Sequence, residues 1–162
     1  MKQYGTFFSF LFFSLLSFAQ QPIEIGKVVG EEYQITADTA LLRKALQQTL
    51  LDGTQIKEMH IESVNQWHYL IGKGSLKNYS KTIAVQLVYE MSSRTFSIKP
   101  GMAHKTCASA GCNNCLPFKE GGNIIGCHCL EEATVSNNCN FKNVAVSPFY
   151  DVLKRYMKMK YK

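Results

Sequence analysis

The residues of this sequence best suited to chemistry are six cysteines that lie close together in the second half of the chain. They are Cys107, Cys112, Cys115, Cys127, Cys129 and Cys139. Thiols form disulfides, bind metals or exchange electrons, and the compartment decides which of these occurs. The residues between them are rich in glycine and asparagine and offer little apolar surface. Because such a segment cannot order itself by burial alone, we expect cross-links to hold it.

The start of the chain predicts export from the cytoplasm. Lys2 precedes an apolar run over residues 7–18, and Ser17 and Ala19 place small residues where a signal peptidase cuts. The run is shorter than the roughly 20 residues that a membrane-spanning helix needs. We therefore predict a signal peptide over residues 1–19, cleaved after Ala19, and a secreted or periplasmic mature protein.

An oxidising compartment favours three disulfides among the six cysteines. An even count, export and a loop-rich segment are the conditions under which disulfide frameworks arise. Each bridge restricts the unfolded chain and contributes about 2–4 kcal/mol. The sequence does not choose among the pairings. Cys127 and Cys129 point to the same side of an extended segment, so we expect each to pair with a different partner.

A zinc site is the alternative use of the cysteines. Two close pairs could supply the four thiolates of a tetrahedral site, and two nearby histidines could add nitrogen ligands. These residues are Cys112, Cys115, Cys127 and Cys129, with His104 or His128. No metal is favoured over disulfides, because an oxidising compartment removes thiolates before a metal arrives. A thiol redox role for Cys112 and Cys115 is a further alternative, although no βαβ pattern surrounds that pair.

The spacing Cys107-x4-Cys112-x2-Cys115 resembles the cluster-binding loop of plant-type ferredoxins over nine residues. The resemblance implies a [2Fe–2S] cluster with a fourth, distant cysteine. Asn113 stands where that loop usually has a small residue, and the order of preceding elements differs from that of ferredoxins. The cluster is therefore a lesser alternative than zinc, and the main interpretation includes no cofactor.

The residues before the cysteines predict one helix and four strands. Apolar residues at three- and four-residue steps predict a helix over about residues 38–52, with Thr36 or Asp38 as its cap and Gly53 at its end. Alternating patterns then predict strands at about residues 56–63, 67–72, 79–90 and 95–99. Short connections favour an antiparallel sheet whose apolar face the helix covers. The predicted fold class is α+β, followed by a cysteine-rich loop module and a C-terminal helix.

Four segments follow from this interpretation. They are the signal peptide over 1–19, the α+β body over 20–101, a disulfide module over 102–140, and a C-terminal strand and helix over 141–162. Ser147 and Pro148 begin that helix, and its apolar stripe lies opposite several lysines. We expect it to dock on the body. Contact of its basic face with a membrane surface is the lesser alternative.

The order of one helix followed by antiparallel strands is similar to that of cystatins. Cystatins carry a Gln-x-Val-x-Gly hairpin, and the comparable segment here is Gln86-Leu87-Val88-Tyr89-Glu90. Glu90 replaces the glycine that permits the tight turn. The resemblance implies protease inhibition, which is a minor alternative.

Other candidate groups are few. His60 and His68 lie on neighbouring predicted strands, and an aromatic patch could form on the sheet from Trp67, Tyr69, Tyr79 and Tyr89. No nucleophile elbow, phosphate loop or metalloprotease motif is present. The net charge of +6 is modest, and export makes nucleic acid an unsuitable partner. We therefore predict an exported, non-enzymatic binding or structural protein whose partner is an extracytoplasmic protein or ligand.

Overall fold

A computed structural model describes residues 20–111, 114–130 and 139–160, which form ten strands and two helices. In chain order these are β1 (Ile23–Val29), β2 (Glu32–Ile35), α1 (Thr39–Leu50), β3 (Gln55–Val64), β4 (Trp67–Leu76), β5 (Tyr79–Glu90), β6 (Thr95–Ile98), β7 (His104–Ser109), β8 (Cys115–Glu120), β9 (Asn123–Cys129), β10 (Asn140–Val144) and α2 (Phe149–Lys160). The predicted signal peptide lies outside the described residues. Neither described helix has the length and apolar composition that crossing a membrane requires.

Strand β5 is the centre of one eight-stranded antiparallel sheet. One edge of β5 pairs with β4, which pairs in turn with β3. The other edge is shared, because the first half of β5 pairs with β7 and its last residues pair with β6. Beyond these lie β10, paired with β7, and β1 and β2, which continue from β6. Strands β8 and β9 form a separate hairpin.

The sheet curls until its β1–β2 end approaches β3. Gly26 of β1 marks this approach, since a Cβ there would lie 2.4 Å from the carbonyl oxygen of Gln34 and 2.6 Å from Ile61 Cδ1. Only glycine allows the chains to come so close. The sheet is therefore nearly closed and has an inner face and an outer face.

Apolar side chains of the sheet and both helices fill the inner face. The members that are fully or almost fully buried include Ile25, Leu42, Leu46, Leu70, Ile83, Val85, Phe96, Ile98, Phe149 and Leu153. Gly72 lets α1 pack closely on β4, because a Cβ there would lie 2.8 Å from Leu46 Cδ1. This cluster is the main core of the protein, and removal of its apolar surface from water is the main source of its stability.

Helix α1 begins and ends by local chemistry. Asp38 caps it, since one carboxylate oxygen accepts hydrogen bonds from the amides of Ala40 and Leu41 at 2.9 and 3.1 Å. Leu51 ends it in the left-handed conformation, with φ 58°, two residues before the glycine that the sequence suggests. Asp38 also forms an ion pair with Lys160 of α2. The Lys160 ammonium and the Leu41 amide hold the pKa of Asp38 below its usual range.

The prediction of one helix on a four-stranded sheet is wrong. The N-terminal arm forms β1 and β2, the predicted loop module contributes β7, β8 and β9, and both β7 and the C-terminal strand β10 belong to the main sheet. The alternation in β7 is hidden because its buried positions hold the polar residues His104, Thr106 and Ser109 together with Cys107. The segment compared with the cystatin hairpin also differs from it, since residues 86–90 lie within β5 and not in a hairpin turn.

Candidate ligand cleft beside a disulfide-anchored hairpin

The hairpin of β8 and β9, here named the outer hairpin, lies on the outer face of the sheet. Its Ile124 is buried in a second small apolar cluster with side chains of β3, β4 and β5. Those partners are Val64, Tyr69, Ile71 and Ala84. Gly121 and Gly122 form its turn with φ values of 55° and 85°, a conformation that glycine adopts without strain.

Two cysteine pairs tie the outer hairpin to the main sheet. Cys127 of β9 is bonded to Cys107 of β7, with their Cα atoms 5.7 Å apart. Cys115 of β8 is bonded to Cys139, the residue before β10, with a Cα separation of 6.1 Å. The prediction that disulfides stabilise the protein is confirmed in this general form. Cys112 lies outside the described residues, so a third bridge stays a prediction.

Polar contacts reinforce this attachment beneath the hairpin. Thr82 Oγ1 donates to the carbonyl oxygen of Cys115 at 2.8 Å, and the Cys115 amide donates to Ser80 Oγ at 3.0 Å. Lys105 Nζ donates to the carbonyl oxygen of Ile124 at 2.7 Å. These bonds satisfy hairpin backbone groups that would otherwise be costly to bury.

An ion pair between Lys119 of β8 and Glu62 of β3 adds an electrostatic contact. The His60 imidazole and Lys119 lower the pKa of Glu62 from its usual 4.5 to about 2. His60 Nε2 lies 3.8 Å from the Glu62 carboxylate, beyond hydrogen-bond distance, so the contact with Lys119 is the direct one. The Glu62 carboxylate is therefore charged throughout the neutral range.

A cleft of about 280 Å³ opens beside the tip of the outer hairpin. This outer cleft is lined by Trp67, Tyr69, Gln86, Ala103, Lys105, Asn123, Asn143 and Ala145. Register explains how distant residues meet there, because Tyr69 pairs with Gln86 across β4 and β5, and Lys105 pairs with Asn143 across β7 and β10. Asn123 enters from the hairpin. The cleft thus combines one aromatic pair, three amides and one ammonium group.

The aromatic side chains form a floor and a rim in the outer cleft. Tyr69 is only 3% exposed, whereas Trp67 is 38% exposed and is the only tryptophan of the chain. Lys105 Nζ lies 6.0 Å from the Tyr69 ring centroid. Burial raises the pKa of Tyr69 and lowers the pKa of Lys105. The phenol therefore stays neutral, and Trp67 is the ring available to a ligand.

The predicted aromatic patch divides between three places. Trp67 and Tyr69 line the outer cleft, whereas Tyr89 packs on the inner side against Phe96 with ring centroids 5.0 Å apart. Tyr79 lines a different depression of about 340 Å³, here named the basic cleft. The basic cleft is bordered by Lys57, Lys73 and Lys77 together with Glu58, Asn78, Ser80 and Asn114.

The strand histidines do not form a site together. His60 lies beside Glu62, whereas the His68 ring packs 5.1 Å from both Tyr89 and Phe96, and burial lowers its pKa. His60 is opposite Ile71 in the register, and His68 is opposite Ser63.

The two histidines named as optional metal ligands have other contacts. His104 is buried, and its Nδ1 lies 2.8 Å from Ser147 Oγ. That hydroxyl also accepts from the amide of Phe149 at the start of α2. Burial, with a smaller effect of Lys142, lowers the pKa of His104. His128 stacks edge-on with Phe118, with ring centroids 5.7 Å apart.

The sulfur atoms of Cys107, Cys115 and Cys127 lie within 4.8 Å of one another, and all three residues are buried. Two of them belong to the predicted zinc set. Cys129 of that set is buried and faces Cys115 in the hairpin register, and Cys112 lies outside the described residues. The described cluster of sulfur atoms therefore includes that of Cys107, which the zinc prediction left out.

Comparison with known protein families, with curated proteins and with solved structures gives no match.

Proposed function

We propose that the protein is an exported, non-enzymatic binding protein that takes a small polar ligand in the outer cleft. The observation that supports this most is the convergence of Trp67, Gln86, Asn123 and Asn143 beside the outer hairpin. These side chains can stack and form hydrogen bonds, which serves recognition. Disulfides support the extracytoplasmic part of the proposal, since they persist in oxidising compartments.

In this proposal the disulfides act on binding through the hairpin. The hairpin carries Asn123 into the cleft and covers little apolar surface of its own. With two covalent links to the sheet, the hairpin holds one wall of the cleft in place before the ligand arrives. A preformed wall raises affinity because less conformational entropy is lost on binding.

A ligand screen tests the proposal with two readouts. Neutral sugars, amino acids and organic anions are added to the oxidised protein, and Trp67 emission and the midpoint of thermal unfolding are recorded. We expect one class to shift both, and we expect Asn143→Ala to weaken that response. Asn78→Ala is the matched control, because Asn78 lines the basic cleft. If the ligand stabilises Asn143→Ala and Trp67→Phe against thermal unfolding as much as it stabilises the unsubstituted protein, it binds outside the outer cleft.

Metal binding by the reduced protein is a second candidate, favoured by the three clustered sulfur atoms. Reduction of each disulfide by a phosphine takes up two electrons and two protons and gives two thiols. Four thiolates at Cys107, Cys115, Cys127 and Cys139 then suit one tetrahedral Zn²⁺ or Co²⁺ ion. In this candidate the metal replaces the two bridges and does not accompany them.

Two double variants identify the ligand set, and both retain Cys115 and Cys127. Anaerobic Co²⁺ titration of the reduced protein should give tetrahedral thiolate absorption that disappears in Cys107→Ser/Cys139→Ser and persists in Cys112→Ser/Cys129→Ser. The reverse pattern supports the ligand set predicted from the sequence. No thiolate absorption in the reduced unsubstituted protein would eliminate this candidate.

A further inference from the structure

The charge of the outer cleft restricts the class of its ligand. Among the lining residues that the structure describes, Lys105 is the only charged one, and its ammonium already donates to the Ile124 carbonyl oxygen at 2.7 Å. No carboxylate of the described residues lines the cleft to pair with a cationic ligand. An anionic ligand finds more positive charge in the basic cleft, where no described acidic side chain forms an ion pair with Lys57, Lys73 or Lys77. The outer cleft therefore suits a neutral molecule.

The amides restrict the class further. Gln86, Asn123 and Asn143 each offer a carbonyl acceptor and an NH₂ donor. Within the described part of the chain, none of these three side chains has a hydrogen-bond partner, and Asn123 and Asn143 are exposed. A hydroxyl group both donates and accepts, so a ligand with several hydroxyls can pair with three amides. A ligand with donors only or acceptors only would leave half of each amide unpaired.

The aromatic rim of the outer cleft offers a surface for the apolar part of a ligand. Trp67 offers a partly exposed ring at the mouth of the cleft, beside polar groups. A pyranose ring has an apolar face of C–H groups that packs on an aromatic surface and an equatorial belt of hydroxyls. The volume of about 280 Å³ is near the lower end of small-molecule sites and suits one or two sugar rings.

On the basis of the proposed function, we propose that the ligand is a neutral carbohydrate. Its ring stacks on Trp67, and its hydroxyls pair with Gln86, Asn123 and Asn143. The outer hairpin supplies one of the three amides, which makes its attachment part of the recognition.

Tryptophan fluorescence tests this directly, because Trp67 is the only tryptophan of the chain. The probes are glucose, galactose, mannose, N-acetylglucosamine, maltose and cellobiose, with glucuronate and inorganic phosphate as anionic comparisons. We expect at least one neutral sugar to shift the emission saturably. We also expect Asn143→Ala and Asn123→Ala to weaken that sugar by about tenfold each, the loss of one or two hydrogen bonds.

Two further variants separate recognition from folding. Gln86→Glu keeps the shape and an acceptor but removes the donor, so it should weaken sugar binding while leaving the thermal midpoint within a few degrees. Asn78→Ala in the basic cleft should change neither quantity. Sugar affinity in all three amide variants that is unchanged from that of the unsubstituted protein would overturn the proposal.

The outcomes also distinguish the ligand class from the binding function. If phosphate, glucuronate or an amino acid shifts Trp67 emission in an Asn143-dependent way and no sugar does, the carbohydrate assignment is wrong and the outer cleft remains a binding site. If no probe of any class affects Trp67 emission or thermal stability, both the carbohydrate assignment and the proposed function are overturned.

Discussion

The two faces of the main sheet are covered in different ways. The inner face is covered by α1 and α2, which bury apolar side chains against it. Within the described residues, the outer face is covered by a short hairpin that places Ile124 in a small apolar cluster and is attached by two disulfides, three hydrogen bonds and an ion pair. One sheet therefore has one layer held by burial and another held by cross-links.

This difference explains how a polar cleft can exist on a small protein. Burial requires apolar side chains, and a layer stabilised only by burial has no room for three amides beside an open depression. Cross-links do not require apolar surface, so the outer hairpin can present Asn123 to solvent, beside Gln86 and Asn143 of the main sheet, while its backbone stays in place. We infer that stability depends mainly on the inner face and that binding uses the outer face.

The largest effect is expected in the inner core. Phe96 is fully buried and packs against Tyr33, His68 and Tyr89. Phe96→Ala should lower the free energy of unfolding by about 3–5 kcal/mol, because it removes apolar burial and leaves a cavity. Urea denaturation followed by far-UV circular dichroism measures the change. A loss below about 1 kcal/mol would show that this face is not the main source of stability.

Removal of one bridge should have the next largest effect. Cys107→Ser/Cys127→Ser should cost about 2–4 kcal/mol, since it frees a loop between residues 20 positions apart. Unlike Phe96→Ala, it should leave the packing of α1 and α2 intact in the folded state, as judged by near-UV circular dichroism. Cys115→Ser/Cys139→Ser is the companion variant and should behave in the same way. Loss of the native near-UV signal in both double variants would contradict the claim that the inner face is held by burial independently of the bridges.

The hairpin turn offers a smaller and more local test. Gly121 and Gly122 both have positive φ, but a Cβ at Gly122 would lie 2.6 Å from Asn65 Nδ2, whereas a Cβ at Gly121 meets nothing within 4 Å. Gly121→Ala should therefore cost about 1–2 kcal/mol from backbone strain alone. Gly122→Ala should cost slightly more, because Asn65 must also move. Equal free energies of unfolding for the two variants would mean that the tip does not contact the β3–β4 turn.

The smallest effects should appear in the pH dependence of the free energy of unfolding. Glu62 beside the outer hairpin and His104 beside α2 should act in different pH ranges. The pKa of Glu62 is lowered to about 2, so its ion pair stabilises the fold above about pH 4.5 and this contribution is lost as pH falls from there toward 2. The lowered pKa of His104 means that the unfolded chain takes up a proton first, so stability falls as pH drops below about 6.5. Lys142 faces the same ring and favours its neutral form.

Two variants test these pH ranges, with the free energy of unfolding measured by urea denaturation at a series of pH values. Glu62→Gln should flatten the stability curve below pH 4.5 only, by less than about 1 kcal/mol, since the pair is partly exposed. His104→Gln should flatten it in the range that begins at about pH 6.5 and extends below it. A curve for Glu62→Gln that runs parallel to that of the unsubstituted protein would show that the ion pair does not link the hairpin to the sheet.

The sequence predicts the elements whose pattern is local. Helix α1 spans 39–50 against a predicted 38–52, and β5 spans 79–90 as predicted. In both, the spacing of apolar residues carries the signal. Strands β7, β8 and β9 were not predicted, because most of their buried positions hold cysteine, threonine, serine, histidine, proline or glycine, so the alternation cannot be recognised from polarity. Strand β10 lies where a C-terminal strand was predicted.

Only some residues of the outer cleft could be recognised from the sequence. Trp67 and Tyr69 stand out as aromatic residues of one predicted strand, and Gln86 has the alternation of an outward position in β5. Lys105 and Asn143 join them only because β10 pairs with β7 and β7 pairs with β5. Asn123 joins them only because the hairpin folds over the sheet. Such long-range pairing has no local signal in the residues themselves.

Hydrogen exchange by mass spectrometry, on the full chain before and after disulfide reduction, measures separately how the outer hairpin and the main sheet are held. If cross-links hold the outer layer and burial holds the inner one, reduction should remove the protection of amides in β8 and β9 and leave that of β4 and β5 largely unchanged. Loss of protection in all four strands together would contradict the account, because the sheet would then depend on the bridges. Unchanged protection in β8 and β9 would contradict it equally, because the hairpin would then be held without them.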